Sequence, residues 1–272
     1  PSTDEETNVA NDLRTARISS CVLEACRDRL GTRCWSGCYG PTTLEEIEEK
    51  TKLKARELGM KIQFFQSNSE GDLVDCIQSL ASKVDGIIIN PIANEISLGS
   101  LKKILRNDSI TYVDPQGFLR RFDKEGMCKL TEVNQENFSQ ANILKINMEE
   151  AKMITGHTSP ENIINTLNKN EIKVIILTQG SKGTYIITNK RINYLPFKKK
   201  IKIKDTTGAG DILAGAFMAK YLETKDEIES LCTATAIVRI ALSKKTVNKI
   251  PELNEIENEK EELTRNIIRK EN

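Results

Sequence analysis

The sequence has little of several features that would place it quickly in a functional class. It has one histidine and one tryptophan, and its 40 basic and 39 acidic residues leave a formal net charge of +1. A balanced charge gives no electrostatic reason to expect a nucleic-acid or anionic-membrane partner. Its apolar runs stay well below the ~20 residues that a membrane-spanning helix needs. We therefore expect a cytoplasmic protein, and we interpret residues 1–20, which are polar and acidic, as a disordered lead-in rather than a signal peptide.

The cysteines lack the spacing of a metal site. Four of the seven crowd together at Cys21, Cys26, Cys34 and Cys38, but no two are separated by only two residues. The one histidine, His157, is far away in sequence and lies in a polar loop, where a solvated side chain is the usual case. We interpret the cysteines as free thiols in a reducing compartment.

Strand-like and helix-like segments alternate regularly along the chain. KIQFFQS, VDGIIINP, ITYVDPQG, ANILKIN and VIILT are strand patterns, and helical patterns separate them, beginning with residues 42–60. TYIIT and INYLP predict a hairpin, and FKKKIKIK predicts a further strand before two long helices. The pattern favours an α/β fold, a doubly wound, mostly parallel, Rossmann-like three-layer sheet. The charged residues 254–272 predict a frayed surface helix.

The lysines at 198, 200, 202 and 204 alternate along FKKKIKIK. Such a row could draw phosphates inward. It is more typical of the exposed face of an edge strand, where lysine also prevents aggregation.

A glycine turn, DTTGAGD, follows that segment and precedes a helix. Gly208 and Gly210 allow a tight turn, so the amides of Gly208, Ala209 and Gly210 can converge on one anion beside a helix N-terminus. Asp211 would then lie next to the anion, where a carboxylate is a natural general base for a hydroxyl. A plain turn, with Asp211 as an ordinary first-turn residue, is the alternative.

The longer string DTTGAGDILAGAF resembles the C-terminal signature of the ribokinase-like (PfkB) family of small-molecule kinases. NMEEA resembles the family's N-x-x-E motif, LTQGSKGTYI its T-x-G-x-K-G turn, and VDPQGFLR its mid-chain strand end with an aspartate. The four stretches occur in the family's order, over about residues 92–253. The resemblance implies an ATP-dependent transfer of phosphate to a hydroxyl of a sugar or related small molecule.

The resemblance also implies roles for individual residues. Asp211 would be the general base, and Gly208, Ala209 and Gly210 the anion hole. Asn147 and Glu150 would organise Mg²⁺ and phosphate. Residues implied at the ATP site are Thr178, Gly180, Lys182, Gly183 and Thr207. Asp114 and Asn90, which follow predicted strands, are candidates for binding the acceptor, because ligands of such sheets lie at the carboxyl ends of the strands.

The N-terminal part resembles a different family, the type II 3-dehydroquinases, over about residues 22–91. LGTR, YGPTTLEEIEE, FFQSNSEG and DGIIINP carry this resemblance. Arg33 and Tyr39 match the family's loop residues, although the intervening loop is one residue longer. Cys26 stands where the family has an asparagine, Ile96 where it has a histidine, and a second histidine is missing. The β-elimination of that family needs a tyrosine base and a histidine acid, and the histidine acid is missing here.

The two resemblances meet near IIINPIANEIS, where both families have a strand end followed by a helix. We hypothesise a chimera joined at about residues 88–93, with a flavodoxin-like half (21–91) and a nucleotide-binding half (92–253) that share one sheet. The kinase family's N-terminal acceptor residues are not found. A nucleotide-binding chimera without turnover and a dehydroquinase-like lyase are therefore alternatives to a kinase. The sequence leaves a homo-oligomer open.

Overall fold

The computed structural model of the protein describes the following residues: 20–24, 44–57, 62–67, 69–81, 83–106, 108–125, 127–167, 172–188, 191–198, 200–204, 206, 208–243 and 251–270. Strands and helices alternate through most of this part of the chain.

The strands lie in three sheets. Their bounds are β1 (Ser20–Glu24), β2 (Ile62–Gln66), β3 (Gly86–Ile89), β4 (Ile110–Val113), β5 (Arg120–Phe122), β6 (Cys128–Leu130), β7 (Ile143–Asn147), β8 (Val174–Thr178), β9 (Gly183–Thr188), β10 (Arg191–Pro196) and β11 (Ile268–Lys270). The helix bounds are α1 (Leu44–Glu57), α2 (Glu70–Ala81), α3 (Leu98–Ile104), α4 (Gln116–Leu119), α5 (Met148–Thr155), α6 (Pro160–Leu167), α7 (Ala209–Thr224), α8 (Glu227–Ser243) and α9 (Leu253–Arg265).

The principal sheet has seven strands in the order β11-β10-β9-β8-β7-β4-β3. Strands β3, β4, β7 and β8 are parallel, as the alternation of strands and helices predicts. Strands β9 to β11 continue the sheet in antiparallel pairs, which includes the predicted β9–β10 hairpin. The sheet is therefore mixed, and the prediction of an α/β sheet flanked by helices is confirmed.

Two hydrophobic clusters cover the two faces of this sheet. On one face α2 to α6 pack against alternate strand residues such as Leu144 and Leu177. On the other face α7, α8 and α9 pack against Tyr112, Ile143 and Ile176. This burial on both faces explains why the parallel strands are almost continuously apolar. The chain therefore forms the three layers that the sequence predicts.

Strands β1 and β2 pair with each other in a separate parallel sheet. The sequence predicts that the strands of both halves share one sheet. Strand β3, which lies in the dehydroquinase-like segment, does pair with β4 along its whole length. Within the described residues, the pairing of β3 with β4 thus joins the dehydroquinase-like segment to the kinase-like segment. Strands β1 and β2 lie in a separate sheet.

One local prediction was wrong, and a second was right only in part. The described residues between Phe197 and Lys204 form no strand; there the N–H of Lys204 donates to the carbonyl of Leu242 at the end of α8. The helix predicted in the tail is present as α9, but it is packed rather than frayed, since it buries Ile256 and Leu263. An ion pair between Arg239 of α8 and Glu259 of α9, with 2.6 Å between Nε and Oε1, holds the two helices together. Apolar spacing within the charged tail was the signal for this packing.

Candidate active site at the carboxyl edge of the sheet

Polar residues end four neighbouring parallel strands. Asn90 follows β3, Asp114 follows β4, Asn147 is the last residue of β7, and Thr178 is the last residue of β8. Because these strands are parallel and adjacent, their ends share one edge of the sheet. The structure therefore places at one edge the strand-end residues that the sequence predicted.

The glycine turn brings α7 to this edge. Gly208 has φ of 76°, in the left-handed region that favours glycine, and α7 begins at the next residue. Asp211 is thus the third residue of the helix. The N–H of Ala209 donates to the carbonyl of Thr206 at 3.2 Å, so the proposed anion hole depends on the amides of Gly208 and Gly210. Thr207 lies outside the described residues.

Asp211 contacts a residue 121 positions away in the chain. The side-chain amide of Asn90 donates from Nδ2 to Oδ1 of Asp211. Asp211 as a whole is exposed, but its carboxyl group faces the side-chain amide of Asn90. Loss of hydration raises the pKa of Asp211, and the nearby carboxylate of Asp114 raises it further, while Lys145 and the bond from Asn90 act in the opposite direction. A carboxyl with a raised pKa is suited to accept a proton near neutral pH.

A buried ion pair lies beneath the first turn of α7. Lys145 Nζ is 2.7 Å from Asp114 Oδ2, and the side chains are 9% and 2% exposed. A Cβ placed on Gly210 would lie 3.6 Å from that carboxylate oxygen and 3.7 Å from the ammonium nitrogen. Burial alone would lower the pKa of Lys145, but attraction to Asp114 and Glu150 outweighs it, so the pKa is raised. Lys145 is therefore a fixed positive charge beside the glycine turn.

Lys145 was not predicted from the sequence. Its signal was a lysine inside the otherwise apolar strand ILKIN, where a charged residue is rarely buried without a partner. Tyr112 was not predicted either; its hydroxyl is buried and has no hydrogen-bond partner among the described residues. Burial raises the pKa of Tyr112 well above its usual value, and the neighbouring carboxylates, Asp114 first among them, add to this.

Asn147 and Glu150 form a capping box at the start of α5. The Asn147 side chain accepts from the N–H of Glu150 at 2.9 Å, and Glu150 Oε2 accepts from the N–H of Asn147 at 2.8 Å. Burial raises the pKa of Glu150; Lys145 lowers it, and Asp114 raises it. The N-x-x-E motif thus has a structural role here besides any part in binding.

A magnesium ion at this edge would have to be held mainly through phosphate. Over the described ranges, no group of three histidine, cysteine, aspartate or glutamate residues could form a metal site. Mg²⁺ commonly binds through one or two carboxylates together with waters and phosphate oxygens, so a cage of protein ligands is not needed. Glu150 is the carboxylate that the N-x-x-E resemblance implies for this role.

A cleft of about 530 Å³ opens beside the ends of β7 and β8. Its lining residues are Asn147, Met148, Glu149, Thr158, Pro160, Thr178, Gln179, Gly180 and Lys182. Four of the residues implied for ATP or metal therefore line one cavity. Gly183 is instead buried at the start of β9, and Glu150 is buried behind its cap. His157 is exposed next to the cleft residue Thr158.

The dehydroquinase-like positions form no second site among the described residues. Arg33, Tyr39 and Cys26 lie outside them. Ile96, which stands where that family has a histidine, packs against the hydrophobic core. The loop that contains it is held by Glu95, whose carboxylate oxygens accept from the N–H groups of Ile92 and Ala93.

The family model described as "pfkB family carbohydrate kinase" matches residues 57–253, which is more than half of the chain. The chain belongs to this family. The match begins at residue 57, whereas the sequence predicted a kinase-like region from about residue 92. The matched region therefore includes β3 and Asn90. The members of the family are described as carbohydrate kinases, so the glycine turn, the N-x-x-E motif and the cleft lie within a kinase-like phosphotransferase domain.

Solved kinases of this kind share the fold. A ribokinase from Thermotoga maritima superposes with a TM-score of 0.60 at 19% identity, covering 92% of this chain and 83% of that chain. A ribokinase from Arabidopsis thaliana, solved with ribose and ATP, gives a TM-score of 0.53 at 20% identity, covering 68% of this chain and 58% of that chain. Identities this low show the common fold alone.

The second resemblance is found among curated proteins. A 3-dehydroquinate dehydratase from Prochlorococcus marinus (strain NATL1A) is 45% identical over 76 residues, which are 28% of this chain and 52% of that protein. The chain thus spans about half the length of this curated relative. Both resemblances predicted from the sequence are confirmed. A chimera of the two families, joined at about residues 88–93, stays a hypothesis. In the described part of the chain no helix has the length and apolar character to cross a membrane.

Proposed function

We propose that the chain transfers the terminal phosphoryl group of ATP to a hydroxyl of a sugar or related polyol, with Asp211 as general base. One observation carries this proposal: Asp211 lies in the first turn of α7, just after a left-handed glycine turn, and Asn90 holds its carboxyl group at the polar edge of the sheet. The Arabidopsis ribokinase was solved with ribose and ATP, which supports these classes of donor and acceptor.

The acceptor would bind between Asn90 and Asp211. Asn90 already donates to Asp211, so it orients the base. The carbonyl oxygen of the same amide is buried and has no hydrogen-bond partner within the described residues. It is free to accept from a hydroxyl of the acceptor. Asp114, predicted as a second acceptor-binding residue, is 1% exposed and paired with Lys145, so its contact with an acceptor stays a prediction.

The donor would extend from the cleft toward α7. Thr178, Gly180 and Lys182 would bind the nucleotide in the cavity at the ends of β7 and β8. The amides of Gly208 and Gly210 would then receive the negative charge that develops on the transferred group. A bound Mg²⁺ would neutralise part of the phosphate charge. Asp211 would take the proton from the attacking hydroxyl.

The test is ADP release from Mg·ATP by the full chain, measured across a panel of pentoses, hexoses and cyclitols, with ATP binding measured separately by calorimetry. Asp211→Asn should keep ATP affinity within a few-fold and abolish ADP release. Gly215→Ala, in the same helix, is the matched control, because a Cβ there meets no atom within 4 Å. Turnover that survives in Asp211→Asn would remove this residue from the mechanism.

These measurements, together with a direct assay of 3-dehydroquinate dehydration, separate the two alternatives. ATP binding without turnover on any acceptor would favour a nucleotide-binding chimera. Dehydration of 3-dehydroquinate has in its favour the 45% identity to a dehydratase. We expect no dehydration of 3-dehydroquinate, because Ile96 occupies the position of the required histidine and packs against the core.

A further inference from the structure

The geometry points to Lys145 as a positioning residue of the proposed reaction: paired with Asp114 under α7, it keeps Asp211 in the ionised form that a general base needs. The inference rests on the proposed function, and it adds a residue outside the motifs that the sequence resemblance contains. Lys145 lies two residues before the end of β7, on the sheet face that α7 covers.

The position of the ammonium group is set by close contacts. Its Nζ is 2.7 Å from Asp114 Oδ2. It also lies 3.7 Å from the point where Gly210 would carry a Cβ, and Gly210 directly precedes Asp211. Lys145 is 7% exposed, so water screens its charge only weakly. A positive charge here acts on both the glycine turn and the base.

Carboxylates from three elements converge on this one ammonium. Asp114 follows β4, Glu150 belongs to α5, and Asp211 belongs to α7; each interacts electrostatically with Lys145. The other groups facing these carboxylates are Arg120, which faces Glu150, Asn90, which donates to Asp211, and the un-ionised phenol of Tyr112. Without Lys145, Asp211 would face mainly like charges, which favour its protonated form.

Stability alone does not explain the ion pair. Replacing a buried ion pair with well-packed apolar residues is often neutral or stabilising. The neighbouring positions on this face, Ile143 and Ile176, are apolar, so an apolar pair would suit the surroundings. An ion pair placed directly beside the candidate base therefore indicates a role in the chemistry.

The test is the pH dependence of kcat/KM, in which loss of activity at low pH reports protonation of the base. Lys145→Gln can still donate to Asp114 but has no charge, so the acidic limb should move up by about one pH unit or more. Lys145→Arg should restore it. Asp114→Asn removes a negative neighbour of Asp211 and should move the limb in the opposite direction. The control is Lys129→Gln, since Lys129 pairs with Asp123 at 3.3 Å but is 74% exposed.

Opposite shifts from the two halves of the ion pair are the decisive result. A purely structural ion pair would lower the yield or kcat of both variants and leave the acidic limb in place, which would overturn the inference. If Lys145→Gln does not fold, the downward shift in Asp114→Asn still tests the coupling, and an unmoved limb there would contradict it.

A second measurement needs no turnover, so it separates this inference from the proposed function. The midpoint of thermal unfolding is compared for the wild type, Lys145→Gln, Asp211→Asn and the double variant. Removing the charge of Asp211 should raise the midpoint more in the Lys145→Gln background than in the wild type at neutral pH, and equally in both at about pH 3, where the carboxyl is protonated. Equal effects at neutral pH would refute the coupling even if the wild type proved to be a kinase.

Discussion

Gly117 allows a close backbone contact next to the candidate site. It lies in α4, and a Cβ placed on it would be 2.4 Å from the carbonyl carbon of Pro91, 2.5 Å from its oxygen and 2.7 Å from the nitrogen of Ile92. These atoms belong to the backbone directly after Asn90. Gly117→Ala must therefore move either α4 or the segment that carries Asn90, because no flexible side chain can yield.

The size of the effect follows from this crowding. Forcing an extra methyl group into a packed interior typically costs about 1–3 kcal/mol. A domain of this size loses about 2–4 °C in unfolding midpoint for each kcal/mol, so we expect a fall of roughly 2–12 °C. Gly99→Ala is the matched control, since its Cβ would meet only Ser97 Oγ at 3.7 Å. That substitution, in an exposed helix position, should be neutral or stabilise by up to about 1 kcal/mol.

Thermal unfolding by differential scanning calorimetry, paired with the ADP-release assay, measures both consequences. Gly117→Ala should lower the midpoint and also reduce turnover, because displacement of Asn90 disturbs its bond to Asp211. If Gly117→Ala and Gly99→Ala both unfolded at the midpoint of the wild type, α4 would not contact Pro91 as described. A lower midpoint with full turnover would separate Asn90 from the reaction.

Two further predictions concern α5. The pKa of Glu150 is raised in the folded protein. The contribution of Glu150 to stability is therefore full below the usual carboxyl pKa and is lost as pH rises through the folded value. Glu150→Gln, which can keep the capping bond, should match the wild type in unfolding midpoint at about pH 3 and exceed it at neutral pH. A wild type that gains stability relative to this variant as pH rises would contradict the sign. Asn147→Asp should keep the helix cap, whereas Asn147→Ala should cost about 1 kcal/mol in urea unfolding. If the N-x-x-E motif also organises phosphate, Asn147→Asp should lose turnover despite its stability, and full turnover would leave the motif a cap alone.

Local patterns in the sequence predicted most of the elements at the site. The apolar strands ILKIN and VIILT and the glycine turn before α7 all lie where the patterns indicate. These features depend on neighbours within a few residues, such as a left-handed glycine or a capping box, so they can be predicted without the fold. The strand expected in FKKKIKIK was wrong because alternation alone does not supply a partner strand.

The sequence by itself determined the order of strands and helices, the kinase-like glycine turn and the resemblance to two families, because each depends on contiguous residues. Tertiary structure alone decided which distant groups meet. Asn90 and Asp211 are 121 residues apart, and only the parallel order of β3 and β4 with α7 above them brings the amide to the carboxylate. Lys145 likewise pairs with Asp114, which lies 31 positions away in the chain, because an unpaired charge between two packed layers would be too costly.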